Sequence, residues 1–154
     1  MKILLPIDDS VCSQTAAHAL AGQICGKGDD VEVHVLHVIQ WPKILSGTIP
    51  PVPGREFGEE FNNFLATRRQ QARTLADGMA RFLRNAGFQA VGLVREADPK
   101  QAILEYAAEW KPDLIVVGSH GRRGLERIAL GSVSEAVMRH AHCSVQIMRH
   151  SPCA

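Results

Sequence analysis

The sequence lacks the long apolar run that a membrane-spanning helix requires. Such a helix needs about 20 consecutive apolar residues, and no stretch of these 154 residues approaches that length. The first ten residues, "MKILLPIDDS", hold an apolar stretch that is too short for a secretory signal and is followed by two acids. We therefore expect a cytoplasmic protein with no membrane partner.

A strong excess of one charge is also missing. Lys and Arg total 17 and Asp and Glu total 16, a formal net charge of +1, so the overall charge does not favour a nucleic-acid partner. No C-x-x-C spacing relates the four cysteines, and a reducing compartment would keep them as thiols. His140, His142 and Cys143 lie close together, but the histidines suit the end of a helix and no firm ligand spacing completes a zinc set.

Two familiar nucleotide-binding motifs are absent. The chain has no G-x-x-x-x-G-K-[ST], and its first apolar segment leads into "DDS" rather than into G-x-G-x-x-G. The sequence thus disfavours a P-loop and the dinucleotide fingerprint.

Apolar segments alternate with helical patterns along the whole chain, which has the length of one domain, 1–154. We predict strands at 2–7, 31–39, 88–95, 113–118 and 143–149 and helices at 10–26, 57–86, 98–110 and 132–142. A Pro- and Gly-rich loop, about 40–56, reads as a flexible insertion. Strict alternation of this kind predicts an α/β fold with parallel strands and helices on both faces.

Local signals support two of these helices. Asp98, Pro99 and Gln101 predict an N-cap, a proline at the first helical position and a capping-box partner. In the long helix, an apolar stripe predicts core packing and consists of Phe57, Phe61, Phe64, Leu65, Leu75, Met79, Phe82 and Leu83.

The stretch "GSHGRRGLERIALGS", residues 118–132, is the main candidate for a ligand site. It connects a strand to a helix at the sheet edge where ligands of open α/β sheets bind, and helix N-termini attract anions. Gly131 and Ser132 would then meet a phosphate. A structural explanation competes with this one, because Ser132 and Glu135 form S-x-x-E, a capping box that gives Gly131 only a turn role.

The spacing of Gly118, Gly121, Gly131 and Ser132 is G-x2-G-x9-G-S, which resembles the ATP-binding branch of the universal stress protein family. The segments "ILLPIDDS", "VHVLHVI" and "VVGSHGRRGLERIALGSVSEAVMRHAHCSV" are also similar to that family. The resemblance extends over essentially the whole chain and is weakest at 40–60.

This resemblance implies a Rossmann-like, doubly wound sheet of five strands in the order 3-2-1-4-5, and a homodimer through the last strand, Cys143 to Arg149. It implies ATP as ligand, with Asp8 near the ribose or near a nucleotide-bound Mg or Mn ion. Arg122 reads either as a phosphate clamp or as a solvated loop residue. The nucleotide-binding residues expected on these grounds are Pro6, Ile7, Asp8, Val38, Gly118, Gly121, Arg122, Gly131, Ser132, Val133 and Ser134.

Three functions remain open from the sequence. The favoured one is an ATP-binding module of the stress response, with no catalytic residue of its own. The second is a slow ATPase or phosphoryl-transfer enzyme, although no general base is evident. The third is an interaction protein that binds no nucleotide and whose glycines are architectural.

Overall fold

The computed structural model describes residues 1–23, 28–40, 58–119 and 130–149. Five strands and four helices alternate along these residues, so the predicted order of elements is confirmed. Their bounds are β1 Lys2–Ile7, α1 Val11–Gln23, β2 Gly28–Ile39, α2 Glu59–Asn85, β3 Phe88–Glu96, α3 Pro99–Trp110, β4 Leu114–Gly118, α4 Ser132–His140 and β5 Ser144–Met148. Most of the predicted 40–56 loop lies outside the described residues.

The strands form one parallel sheet in the order β3-β2-β1-β4-β5, as predicted. The central strand β1 pairs with β2 on one side, where Ile7 is opposite His37, and with β4 on the other, where Leu4 is opposite Ile115. Strand order therefore reverses between β1 and β4, and the crevice beyond their carboxyl ends is the expected ligand position in such a sheet. The last strand, β5, lies at the sheet edge as predicted.

The core consists of one apolar layer on each face of the sheet. Along β1, Ile3 and Leu5 belong to the layer packed against α1 and α2, while Leu4 belongs to the layer that includes α3 and α4. This alternation explains why the strand is apolar throughout, because both of its faces are covered by helices. Within the described residues, no helix combines the length and apolarity needed to cross a membrane.

The apolar stripe predicted for α2 is only partly correct. Leu83 is buried and Leu75, Met79 and Phe82 are partly buried against the core, as predicted. Phe57 lies outside the described residues. Phe64 is 49% exposed, however, and the other buried positions of this helix are Ala72, Ala76 and Ala80. The reason is close packing on β3, since a Cβ at Gly92 would lie 2.8 Å from the main-chain carbon of Ala76. Small side chains permit this approach and large ones do not.

The start of α3 follows the prediction in one respect and departs from it in another. The carboxylate of Asp98 accepts hydrogen bonds from the amides of Lys100 (3.0 Å) and Gln101 (3.3 Å), with Pro99 as the first helical residue. The contact with the Gln101 amide is one half of the predicted capping box, whereas the Gln101 side-chain amide donates to Glu105, one turn further along, at 2.7 Å.

Candidate functional site

The turn from β1 into α1 is organised around the carboxylate of Asp8. The Ser13 hydroxyl oxygen accepts a hydrogen bond from the amide of Asp8 at 2.9 Å and donates its proton to Asp8 Oδ1 at 2.6 Å. Ser10 donates to the same Oδ1 through its hydroxyl and through its amide. Asp8 is half-buried, whereas its neighbour Asp9 is exposed. The carboxylate at the end of β1 is thus fixed by contacts from two serines.

Ser10 is also the N-cap of α1. Its hydroxyl oxygen accepts a hydrogen bond from the amide of Ser13 at 3.2 Å, and its carbonyl accepts one from Gln14 at 3.3 Å. The contact with the Ser10 hydroxyl satisfies one of the amides that the first turn of a helix leaves without partners, and the bond from Gln14 is the first hydrogen bond of the helix itself. The N-terminus of α1 is therefore anchored beside the carboxyl end of β1.

The last two residues of β1, Pro6 and Ile7, are buried within the sheet. His37 Nδ1 lies 3.1 Å from the carbonyl oxygen of Ile7. A carbonyl can only accept, so Nδ1 is the protonated nitrogen in this contact. The side chains of Pro6 and Ile7 face the core, and their predicted contact with a nucleotide would have to come from the main chain.

Gly118, the last residue of β4, contacts both helices that begin at the carboxyl ends of β1 and β4, namely α1 and α4. A Cβ built on Gly118 would lie 2.9 Å from the main-chain carbon and oxygen of Cys12 in α1. On the α4 side, the hydroxyl of Ser134 donates to the Gly118 carbonyl oxygen at 2.6 Å. The first turns of α1 and α4 therefore meet at one glycine, whose missing side chain leaves room for the protein's own backbone.

The capping-box explanation of Ser132 is wrong. The N-cap of α4 is Gly131, at φ −61° and ψ 148°, and Ser132 is the first helical residue, with an exposed side chain. The carboxylate of Glu135 contacts Arg139 rather than the N-cap amide. Any residue can adopt the conformation of Gly131, so that glycine is not explained by backbone strain.

The start of α4 is tied to the ends of two strands. The amide of Gly131 donates to the carbonyl of Ser119 at 2.8 Å. The amide of Ser119 in turn donates to the carbonyl of Met148 at 2.7 Å. The first helical hydrogen bond comes from Glu135 to Gly131, at 2.9 Å. The three preceding amides have no carbonyl earlier in the helix to accept from them, and they belong to Ser132, Val133 and Ser134. Such a helix start is a favourable place for an anion.

The hydroxyl of Ser134 bonds to the protein's own main chain. Ser134 is only 4% exposed, and its single hydroxyl proton is directed to Gly118. A hydroxyl that donates to a carbonyl has no second proton for a phosphate oxygen. The side chain of Ser134 therefore positions α4, and only its main-chain amide is available for an anion.

Three predicted site residues, Val38, Gly121 and Arg122, remain to be placed relative to Asp8 and the start of α4. Val38 is the penultimate residue of β2, half-buried and opposite Arg95 of β3, so it reaches the same edge of the sheet one strand away from Asp8. Gly121 and Arg122 lie outside the described residues. No group of three or more His, Cys, Asp or Glu side chains within the described ranges is arranged to hold a metal ion.

Sequence reasoning missed the polar residues that build this edge. Ser10 and Ser13 follow Asp8 by two and five residues, and a serine just before a helical pattern is a recognised N-cap signal. Cys12, which fills the space at Gly118, carries no such signal, because its contact joins segments more than 100 residues apart.

A family model described as the universal stress protein family matches residues 1–149. Universal stress protein MJ0531 of Methanocaldococcus jannaschii is 33% identical over 149 residues, which covers 96% of this chain and 81% of that protein.

Solved structures agree with this assignment. Hypothetical protein MJ0577, from the same organism, superposes with a TM-score of 0.76 at 28% identity and with coverage of 99% and 97% of the two chains. A universal stress protein family protein of Arabidopsis thaliana with AMP bound has the same fold, with a TM-score of 0.70, 20% identity and coverage of 98% and 92%. This chain belongs to the universal stress protein family.

Proposed function

We propose that this protein binds an adenine nucleotide, ATP in the first instance, beyond the carboxyl ends of β1 and β4, and that it acts as a nucleotide-responsive module of the stress response. The observation that carries the proposal is the start of α4. Three amides open this helix, and the contact between Ser134 and Gly118 holds them at the end of β4. A polyphosphate is the natural partner of amides arranged in this way.

The failure of the capping-box explanation strengthens this reading of Ser132. Its hydroxyl is exposed at the first position of α4 and does not cap the helix. We assign it to a phosphate oxygen, together with the amides of Val133 and Ser134.

The other proposed contacts with the nucleotide come from residues at the carboxyl ends of the strands. Asp8 would accept a ribose hydroxyl or lie beside a nucleotide-bound Mg or Mn ion, which would neutralise phosphate charge. The main chain at Val38, on the neighbouring strand, would contact the adenine. Gly121 and Arg122 complete the proposed set through the G-x2-G-x9-G-S spacing. The AMP found in the Arabidopsis thaliana protein supports an adenine nucleotide as the ligand class.

We further propose that the protein is a homodimer through β5. This strand pairs with β4 on one side and is the last strand of the sheet on the other, and edge strands are templates for pairing with a second chain. Ile147→Lys should shift sedimentation velocity from dimer towards monomer, and a wild-type monomer at micromolar concentration would contradict the proposal.

Calorimetric titration of nucleotide-free protein with ATP, AMP and GTP tests the binding function. We expect ATP to bind and GTP to bind more weakly. Ser132→Ala should weaken ATP binding by about 10- to 150-fold, the loss associated with a charged hydrogen bond of roughly 1.5–3 kcal/mol. Thermal stability should be nearly unchanged, because the side chain is exposed and caps nothing.

Ser144→Ala is the matched control, since Ser144 is also an exposed serine but lies at the opposite end of β5 from Met148. It should bind ATP like the wild type. A wild-type protein that binds none of the three nucleotides would refute the proposed function.

A further inference from the structure

Ser13 is a buried polar residue whose hydroxyl makes its two shortest hydrogen bonds with one residue, Asp8. Its side chain is 6% exposed and lies in the first turn of α1. The hydroxyl oxygen accepts from the amide of Asp8 and the hydroxyl proton goes to Oδ1 of the same residue, at 2.9 and 2.6 Å. The two contacts close a ring that fixes both the main chain and the carboxylate of Asp8.

Capping of α1 does not account for this hydroxyl. The N-cap is Ser10, whose side chain accepts from the Ser13 amide. The hydroxyl of Ser13 points away from the helix and towards the end of β1. An aspartate side chain otherwise rotates about two bonds, and holding it in one orientation before a ligand arrives lowers the ordering cost of binding.

We infer that Ser13 is a positioning residue for nucleotide binding: it holds the Asp8 carboxylate in the orientation that receives the ligand. The inference rests on the proposed nucleotide site, since it concerns how that site is prepared. Ser13 itself touches no ligand in this scheme and acts only through Asp8. Two hydroxyl contacts on one oxygen leave the direction of the carboxylate set by the β1–α1 turn rather than by the nucleotide.

A double-mutant cycle on ATP affinity tests this inference. Ser13→Ala should weaken ATP binding about tenfold, near the lower bound for loss of a charged hydrogen bond. Asp8→Ala should weaken it at least as much. In the Asp8→Ala background, Ser13→Ala should cause no further loss of affinity, because its effect passes through the missing carboxylate.

Thr15→Val is the matched control in the same helix. The Thr15 hydroxyl donates to the Val11 carbonyl at 2.9 Å, a contact one turn along α1 that does not involve Asp8. Its loss should leave ATP affinity unchanged. Ser13→Thr keeps the hydroxyl and should bind ATP within a few-fold of the wild type, which a purely structural role for the buried side chain does not predict.

The outcomes separate this inference from the proposed function. A wild type that binds no nucleotide would contradict the function itself. If the wild type binds ATP, three results would overturn the positioning role alone. These are additive losses of affinity in the cycle, an unchanged affinity of Ser13→Ala, and an unchanged affinity of Asp8→Ala. Melting temperatures of all variants are measured in parallel, and an unfolded Ser13→Ala leaves the decision to Ser13→Thr, whose loss of affinity in a folded protein would also overturn it.

Discussion

Gly118 offers a stability test that follows directly from interatomic distances. Replacing it with alanine places a Cβ 2.9 Å from the main-chain carbon, the main-chain oxygen and the Cβ of Cys12. Ordinary carbon contacts begin near 3.5 Å, so α1 and β4 must separate by several tenths of an ångström. The conflict involves main-chain atoms that no rotamer change can move. The described glycine with a positive φ is Gly87, so Gly118 is subject to crowding and not to backbone strain.

Overpacking of this kind costs about 1–3 kcal/mol. For a chain of this size each kcal/mol lowers the melting temperature by about 2–4 °C, which predicts a decrease of roughly 2–12 °C for Gly118→Ala. Gly78→Ala is the matched control, because Gly78 lies in α2 and nothing approaches within 4 Å of its added Cβ. That change should raise stability by about 0.5–1 kcal/mol, the helix penalty of glycine.

Differential scanning calorimetry of both variants gives the answer. The expected result is opposite shifts for the same chemical change, a lower melting temperature for Gly118→Ala and a slightly higher one for Gly78→Ala. If Gly118→Ala melts at the wild-type temperature, α1 does not pack against β4 as described, and the space at Gly118 has some other purpose.

Two further predictions concern one buried hydroxyl, that of Ser134, and one half-buried thiol, that of Cys143. Ser134→Ala removes the hydroxyl that bonds the Gly118 carbonyl and should cost about 1–3 kcal/mol in urea unfolding, the penalty for an unsatisfied buried acceptor; an unchanged midpoint would argue against that contact. Burial, with a smaller contribution from Asp113, raises the pKa of the Cys143 thiol above its ordinary value of 9.0. The unfolded chain then loses this proton first, so stability should fall as the pH rises from that value through the pKa of the folded state. Cys143→Ala should therefore reduce the decrease in melting temperature that alkaline pH causes. The decrease due to Tyr106, whose pKa is also raised by burial, should remain. The same decrease in melting temperature with pH in the variant and the wild type would contradict this prediction.

The fold was accessible from the sequence because its signals are local and periodic. The apolar segments that became β1 and β4, the helical pattern that became α3 and the Asp98 cap can each be read within a dozen residues. The order of the strands came from the family resemblance rather than from periodicity. The parallel alternation of strand and helix restricts the topology but does not select which strands are neighbours.

The site was less accessible because its contacts join distant segments. The buried alanines of α2 lie outside the predicted apolar stripe and are required by the proximity of β3, which helical periodicity cannot reveal. The N-cap of α4 is Gly131, one residue earlier than the predicted Ser132. Ser132 is therefore not a cap, and its hydroxyl is exposed at the first helical position. The closure of Ser13 on Asp8 depends on side-chain directions in a turn, and no spacing rule specifies them.

A ¹⁵N–¹H correlation spectrum recorded during an ATP titration tests the central claim most directly, because every amide reports its own environment. We expect the largest shifts at Asp8 and Gly118 and at the helix-opening amides of Ser132, Val133 and Ser134. Amides at the amino ends of the strands, such as that of Asp113 just before β4, should move little. Saturating ATP that leaves the amides of α4 and the β1–α1 turn unchanged, or that shifts residues elsewhere instead, would contradict a nucleotide site between β1 and β4.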